Sequence, residues 1–501
     1  MFSAQEFPRL RKAEVFGPLI GLNLLFLGPA AGEVLLVPED FETIQMAIDA
    51  ASDADVILVG PGVYHETIDL LGKAITVRSE GGADATTIDG TGLGGSVVKC
   101  VSGEGADTTL DGFTITGGDA VQGGGMLNIA GSPTVAGCVF QANIASDGGA
   151  MFNFDADPIV VDCRFIGNVC ELTGGGGVHN DASSPCIVDC VFLDNAAVHA
   201  FGSGGGVYSR DFSEPHVQGC LFAGNTADFN GGGMYSVNGS SATVVSCSFH
   251  GNAAKRGGGM HVDESEAEVV NCLLSENFAD ESGGGLRNFI GFSTVVNCTF
   301  TGNKAVFGGG VANHGSTVGI GNTILWKDGA TVGSEIHNEA GGTVKIRYCD
   351  IQDSGGSGGQ WDPALGLDGG GNIDADPLFV NPVGGEYRLA AGSPCIDAAD
   401  NTAVPEGIVT DLAGRPRFVD DEETEDTGFG QPPIVDMGAY ERQPAGCPAD
   451  VTGDEVVDVS DLLAVLAAWG STGGEIPEDV NADGIVDVLD VLEVLASWGP
   501  C

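Results

Sequence analysis

Positive charge is scarce: 19 Lys and Arg stand against 70 Asp and Glu, a formal net charge of −51. A surface of that sign repels nucleic acid and anionic membranes and gathers cations, so neither is expected as a partner. Calcium is the natural counter-ion for clustered carboxylates. Long apolar runs are also missing. The run at residues 15–27, broken by Pro18, is too short for an ordinary spanning helix, and no other candidate span follows. The 82 glycines lack the strict period of collagen and come in clusters, as in a repeat with glycine at fixed turns.

The N-terminus reads as an export signal. Arg9, Arg11 and Lys12 precede the apolar run, and Pro29-Ala30-Ala31-Gly32 gives a cleavage zone of small residues. The expectation is a signal peptide over residues 1–32 and a mature chain that is secreted or at the cell surface. Its 14 cysteines would then meet an oxidising compartment.

One unit repeats through the centre of the chain. Cysteine recurs as Cys138, Cys163, Cys190, Cys220, Cys247, Cys272 and Cys298. Two residues after each comes Phe140, Phe165, Phe192, Phe222, Phe249, Leu274 or Phe300. Five residues after each comes Asn143, Asn168, Asn195, Asn225, Asn252, Asn277 or Asn303. A glycine cluster and a second short strand follow, as in Gly257-Gly258-Gly259-Met260-His261-Val262.

Strands at this period cannot bury themselves singly; stacked as coils they make one continuous core, with like side chains in ladders. Alternation places Val296, Cys298 and Phe300 inward, and Val295, Asn297 and Thr299 outward. Gln218 breaks that pattern, by sitting at a corner or by a shift of register. The thiols read as small stacked apolar groups, and the asparagines as amides bonding each other and turn backbone. After the inward Met126, Met151, Val178, Val207, Met234, Met260 and Leu286 comes an outward row: Leu127, Phe152, His179, Tyr208, Tyr235, His261 and Arg287. Exposed, this row would form a glycan-binding face, with Phe152, His179, Tyr208, Tyr235, His261 and Arg287 as binding residues. The other reading packs it beneath the loops between coils.

Thr43-Ile44-Gln45 with Ala47-Ile48, Pro61-Gly62-Val63-Tyr64 and Gly72-Lys73-Ala74-Ile75-Thr76-Val77 resemble the opening of pectin-lyase-like β-helix proteins. The Gly-Gly-Gly-Met and Phe-x-x-Asn copies resemble the repeats of polymorphic outer-membrane proteins. Asp376-Pro377-Leu378-Phe379-Val380, Gly392-Ser393-Pro394-Cys395-Ile396-Asp397 and Asp436-Met437-Gly438-Ala439-Tyr440-Glu441 resemble a terminal segment of such secreted chains. The resemblance implies a mainly β, right-handed parallel β-helix, a pectate-lyase-like solenoid. It would span residues 33–368 with an N-terminal cap helix, and residues 369–443 would complete or cap it. Many proteins of that fold cleave acidic polysaccharides, using a base near acidic calcium ligands. Tyr235, His261, Asp263 and Arg287 could meet on one face. The Gly-His-Gly and Arg-x-Lys elements of polygalacturonases are not visible, and Asn313-His314-Gly315 is only a faint likeness.

Residues 444–501 carry a duplicated loop. Asp450, Thr452, Asp454, Val456, Asp458 and Asp461 occupy loop positions 1, 3, 5, 7, 9 and 12 of the first copy; Asp479, Asn481, Asp483, Ile485, Asp487 and Asp490 occupy those of the second. That spacing wraps Ca²⁺ in an EF-hand-like loop, position 7 by its carbonyl. Thr452 and Glu455 make the first loop the weaker one. A last-position Asp with one following helix per loop resembles dockerin type I modules. The resemblance implies a small α-helical module that docks onto a cohesin-like or cell-surface protein. Cys447 and Cys501 bracket the module and suit a disulfide, while Cys100, Cys170 and Cys186 leave further pairings open. Two functions stand: an anchored protein that binds extracellular polysaccharide, and a polysaccharide-degrading lyase or glycoside hydrolase.

Overall fold

One coil is made of four short strands, Ser241–Val245, Ser248–His250, Ala253–Arg256 and Met260–Asp263. Each pairs in parallel with its counterpart one coil away, giving four sheets of 14, 12, 9 and 11 strands, called here sheets one to four in the order the coil visits them. The result is a parallel β-helix. The structure, a computed structural model, describes residues 32–421, 423–443, 451, 456–457, 459–469, 480, 485–486, 488–496 and 499–500. The export signal lies outside the described residues. Among the described residues no helix is long and apolar enough to cross a membrane.

Corners are made by single residues with positive φ. In this coil they are Ser246 at 50°, Gly251 at 61°, Gly257 at 63° and Glu264 at 47°. The first corner corrects the expected alternation. A left-handed residue just before the cysteine resets the phase, so the inward residues are Val295, Cys298 and Phe300, not Val296. The same reset removes the anomaly of Gln218: its position faces outward, and Val217 fills the core.

The ladders form as expected inside. Phe165, Phe192, Phe222 and Phe249 stack with ring centroids 4.7, 4.6 and 4.6 Å apart and planes within 3°. The amide of Asn225 donates to Asn252 Oδ1 at 2.9 Å and to the Phe192 carbonyl at 2.9 Å, and this pattern repeats from coil to coil. The Sγ atoms of Cys190, Cys220, Cys247, Cys272 and Cys298 each accept the backbone N–H of the ladder cysteine one coil before, as Cys220 Sγ does from Cys190 at 3.4 Å. All twelve described cysteines are free thiols, so the pairings open to Cys100, Cys170 and Cys186 do not form. Cys170 instead takes an alanine's place in a small cluster with Ala197, Ala227 and Ala254. Cys447 and Cys501 lie outside the described residues.

Helix Ile44–Ala50 lies at the N-terminal end of the core. Thr43 Oγ1 caps its start, Ile44, Ala47 and Ile48 are buried, and Lys73 Nζ donates to the carbonyls of Ile48, Asp49 and Ala51. At the other end, residues 376–418 and 424–441 lie along the outer face of sheet two. Leu389, Cys395, Ile396, Val435 and Met437 pack on Ile324 and Trp326. Asn271, Asn297 and Asn322, all corner residues, donate to the carbonyls of Thr410, Asp436 and Asp400.

A separate unit comprises Arg442–Cys501 with Val419–Glu423. Helices Val459–Ala467 and Val488–Ala496 pack around Val457, Val465, Val480, Val486 and Val494.

Candidate functional site

The outward row on sheet four exists, in register from Leu127 through Arg287. Its rings touch in sequence: Phe152–His179 at 4.8 Å, His179–Tyr208 at 4.6 Å, Tyr208–Tyr235 at 5.5 Å and Tyr235–His261 at 5.1 Å. The row is not exposed. Phe152 is 1% accessible, His179 0%, Tyr235 6% and His261 1%, while Tyr208 and Arg287 are half-buried. The reading in which the row packs beneath the turns is the correct one.

The cause is the glycine triplet. Its first glycine turns the chain so tightly that a Cβ on Gly231 would lie 2.8 Å from Tyr235 Cβ, and one on Gly257 2.7 Å from His261 Cβ. The ends of the sheet-three strands then close over the row. Ser282 Oγ accepts from Arg287 Nε at 2.9 Å.

A second outward row, two residues further along each strand, is more accessible: Phe154 and Glu339 are exposed, the others half-buried, and Asp181 alone is buried. It runs Phe154, Asp181, Arg210, Val237, Asp263, Phe289, His314 and Glu339. Phe154 is 46% accessible. Phe289 and His314 stack at 4.7 Å, and the Arg287 guanidinium lies 4.9 Å over the Phe289 ring. Sequence reasoning had not singled out this row, although its period equals that of its neighbour. It had also passed over an inner asparagine ladder on the same strands, in which Asn128, Asn153 and Asn180 bond in turn.

The four residues considered for catalysis do meet. Tyr235 donates to Asp263 Oδ2 at 3.0 Å, and Arg287 donates to His261 Nε2 at 2.6 Å. Because that nitrogen accepts, the proton of His261 sits on Nδ1. Burial and then the Arg287 charge hold His261 well below its ordinary pKa. Burial raises Tyr235, with the Asp263 charge adding to it, and burial also raises Asp263. Arg287 is brought down to about 10 by burial and by Arg256. The imidazole and phenol are thus neutral and committed to partners, a poor arrangement for solvent-facing base catalysis near neutrality.

Arg287 differs from its basic neighbours in its surroundings. Arg210 pairs with Asp181, and Lys255 and Arg256 with Glu281. No carboxylate among the described residues lies within 4.0 Å of Arg287, which rests instead on a neutral imidazole and a phenyl face. All four Lys and Arg between residues 171 and 300 fall on sheets three and four: Arg210, Lys255, Arg256 and Arg287.

Of the calcium-loop residues, Asp450, Thr452, Asp454, Asp458, Asp479, Asn481, Asp483 and Asp487 lie outside the described residues. Val456 sits in a strand pairing with Gly499–Pro500, and Ile485 is exposed. Asp461 and Asp490 stand in the first turns of the two helices, both with 0% accessibility. These are the twelfth positions of the two loops.

No known family profile matches the chain, and no curated protein does. Among solved structures it is similar to the pectate lyase Pel9A, at 13% identity and TM-score 0.42, over 83% of this chain and 98% of that one. It is also similar to the catalytic unit of a GH87 alpha-1,3-glucanase from Streptomyces thermodiastaticus, at 14% identity and TM-score 0.33, over 70% of each chain. A PL6 alginate lyase in complex with a trisaccharide matches at 10% identity and TM-score 0.32, over 78% of this chain and 96% of that one.

Proposed function

We propose that this β-solenoid is an exported polysaccharide-binding protein, and that the more accessible row on sheet four takes an acidic glycan. The carrying observation is the confinement of cations. On a chain of net charge −51, a polyanion is repelled almost everywhere. Between residues 171 and 300 the compensating charge stands on two adjacent sheets, Lys255 and Arg256 on sheet three and Arg210 and Arg287 on sheet four, with Tyr208 and Phe289 among them. A uronate carboxylate would satisfy the Arg287 guanidinium, and a sugar face would stack on Phe289.

Titration calorimetry with polygalacturonate and with a neutral glucan tests this. Acidic polymer should bind more tightly, with affinity falling as salt rises. Arg287→Gln should lose roughly tenfold or more, because charge-assisted hydrogen bonds contribute about 1.5–3 kcal/mol. Equal affinity for both polymers, or an unaffected variant, would reject the proposal.

A second reading, acidic-polysaccharide lyase, is favoured by one observation: Arg287 is brought to about 10 and has no carboxylate partner. The absorbance of unsaturated products separates the two readings. We expect no turnover; turnover lost in Arg287→Gln would install the lyase instead.

The C-terminal unit would anchor the solenoid to a cohesin-like or cell-surface partner. Calcium, when bound, would be held by the two loops ending in Asp461 and Asp490. Chelation should melt the helices around Val465 and Val494, because binding free energy is folding free energy in such modules. Circular dichroism of the full chain should lose helical signal with EGTA and regain it with Ca²⁺. An unchanged spectrum would count against the module.

A further inference from the structure

The asparagine ladder ends in an acid. Asn303 donates its backbone N–H at 2.7 Å and its Nδ2 at 2.9 Å to Asp328 Oδ1, the role every earlier rung fills with an amide oxygen. Asp328 Oδ2 takes the slot of the amide nitrogen. A Cβ on Gly310 would lie 2.5 Å from it, just as one on Gly259 would lie 3.3 Å from Asn277 Nδ2. In earlier coils that nitrogen donates to the carbonyl of the preceding coil, as Asn303 does to Leu274 at 2.8 Å. A carboxylate has no proton to give there; a carboxylic acid has one.

Glu335 sits against the same group. Its Oε1 accepts from the Asp328 N–H at 3.2 Å, which sets the two carboxyl groups side by side. Asp328 and Glu335 are 6% and 4% accessible, and Asp328 Oδ2 and Glu335 Oε2 have no acceptor or donor of their own. Glu335 follows Gly333-Ser334, where the other coils carry glycine. The charged and titratable groups facing the pair are Asp353, toward Glu335, and Tyr387, toward Asp328; neither brings positive charge. Lys327 and Lys304, the nearest cations along the chain and the sheet, are exposed.

We propose that Asp328 and Glu335 hold a shared proton at neutral pH, and that this proton is a pH-sensitive end stop for the last coils of the solenoid. Two ionised carboxylates cannot lie buried in contact without a cation, so deprotonation must separate them. Among the described residues the strands that follow, Gly329–Val332 and Ile336–Glu339, are the terminal strands of sheets three and four, with no further strand paired beyond them; Asn338 Nδ2 donates to the carbonyls of Ala364 and Leu365. They are the part released.

Burial raises both groups, Asp328 to about 7 and Glu335 to about 11. A raised carboxyl stabilises the fold fully below its unfolded value, near 4, and loses that contribution as pH climbs through the folded values. The end stop is therefore tight in acid and weakens from pH 4 upward, most steeply between about pH 5 and pH 7, where the unfolded chain has lost both protons and the fold still holds them, and more gradually above neutrality.

The infrared difference between wild type and the isosteric Asp328→Asn/Glu335→Gln variant, taken on the full chain at pH 8, reads the proton directly. A protonated-carboxyl stretch present in wild type and gone from the variant is expected; its absence from wild type would overturn the proposal. Thermal melts and hydrogen exchange of both chains from pH 5 to pH 9 read the release. The variant should gain on wild type as pH rises, with exchange in wild type accelerating first at residues 329–339 after correction for intrinsic rates. A constant gap between the chains across that range, or uniform exchange, would overturn the switch even if the proton were found.

Discussion

Phe222→Ala is expected to lower stability by about 3–5 kcal/mol, the range for deleting a fully buried phenylalanine. Phe222 is 0% accessible and lies between Phe192 and Phe249, each with its ring 4.6 Å away and nearly parallel. The neighbouring coils cannot collapse into the void, because the glycine turns beside them have no slack. A Cβ on Gly206 would already sit 2.8 Å from the Phe222 ring, and one on Gly232 2.5 Å from the Ala253 carbonyl. Urea unfolding should show a lower midpoint. In a stack where each coil rests only on its neighbours, hydrogen exchange should accelerate most in the coils either side. Phe222→Leu, which retains most of the volume, should cost less than half as much. A loss below about 1 kcal/mol for the alanine variant would mean that the rings do not form the load path of the core.

Asn225→Leu is expected to cost a similar amount by a different route. The substitution keeps the volume and removes the polarity. It strands the backbone N–H of Asn195, which reaches Asn225 Oδ1 at 3.1 Å, and the Phe192 carbonyl, which accepts at 2.9 Å, and it leaves Asn195 Nδ2 with its bond to the Phe165 carbonyl but without the one of 3.0 Å to Asn225. Each buried group left without a partner costs about 1–3 kcal/mol. The sum is about 3 kcal/mol or more, so the variant should fold poorly at 37 °C although its surface is unchanged. If leucine were neutral, the ladder would be a by-product of stacking and not a source of stability. Substituting two successive rungs should cost less than twice as much, because the second removes a partner already orphaned.

The two effects separate what was legible from what was not. The repeat was plain from Cys190, Phe192 and Asn195 and their copies, since like residues at a fixed spacing stack in like positions. The phase at the corner was not plain. Alternation assumes an unbroken strand, and a left-handed residue at Asn297 or Ser246 breaks it, with nothing in the identity of Val295 or Val296 to say which turns inward. The candidate face suffered from the same limit. Period two identified Tyr235 and Asp263 as outward, and they are. Whether outward means open depended on the end of the sheet-three strand, such as Ser282 beside Arg287, which belongs to a different stretch of the coil.

The sequence by itself determined the coil, its contents and the spacing of its ladders, because burial in a stack forces one residue type at one position in every copy. Only the tertiary structure decided which outward row meets solvent, why Arg287 lacks an acid beside it, and where Asp328 meets Glu335. Those outcomes rest on contacts between a strand end and the turn that folds back beneath it, and such contacts depend on how far a corner overshoots, which no residue pattern encodes.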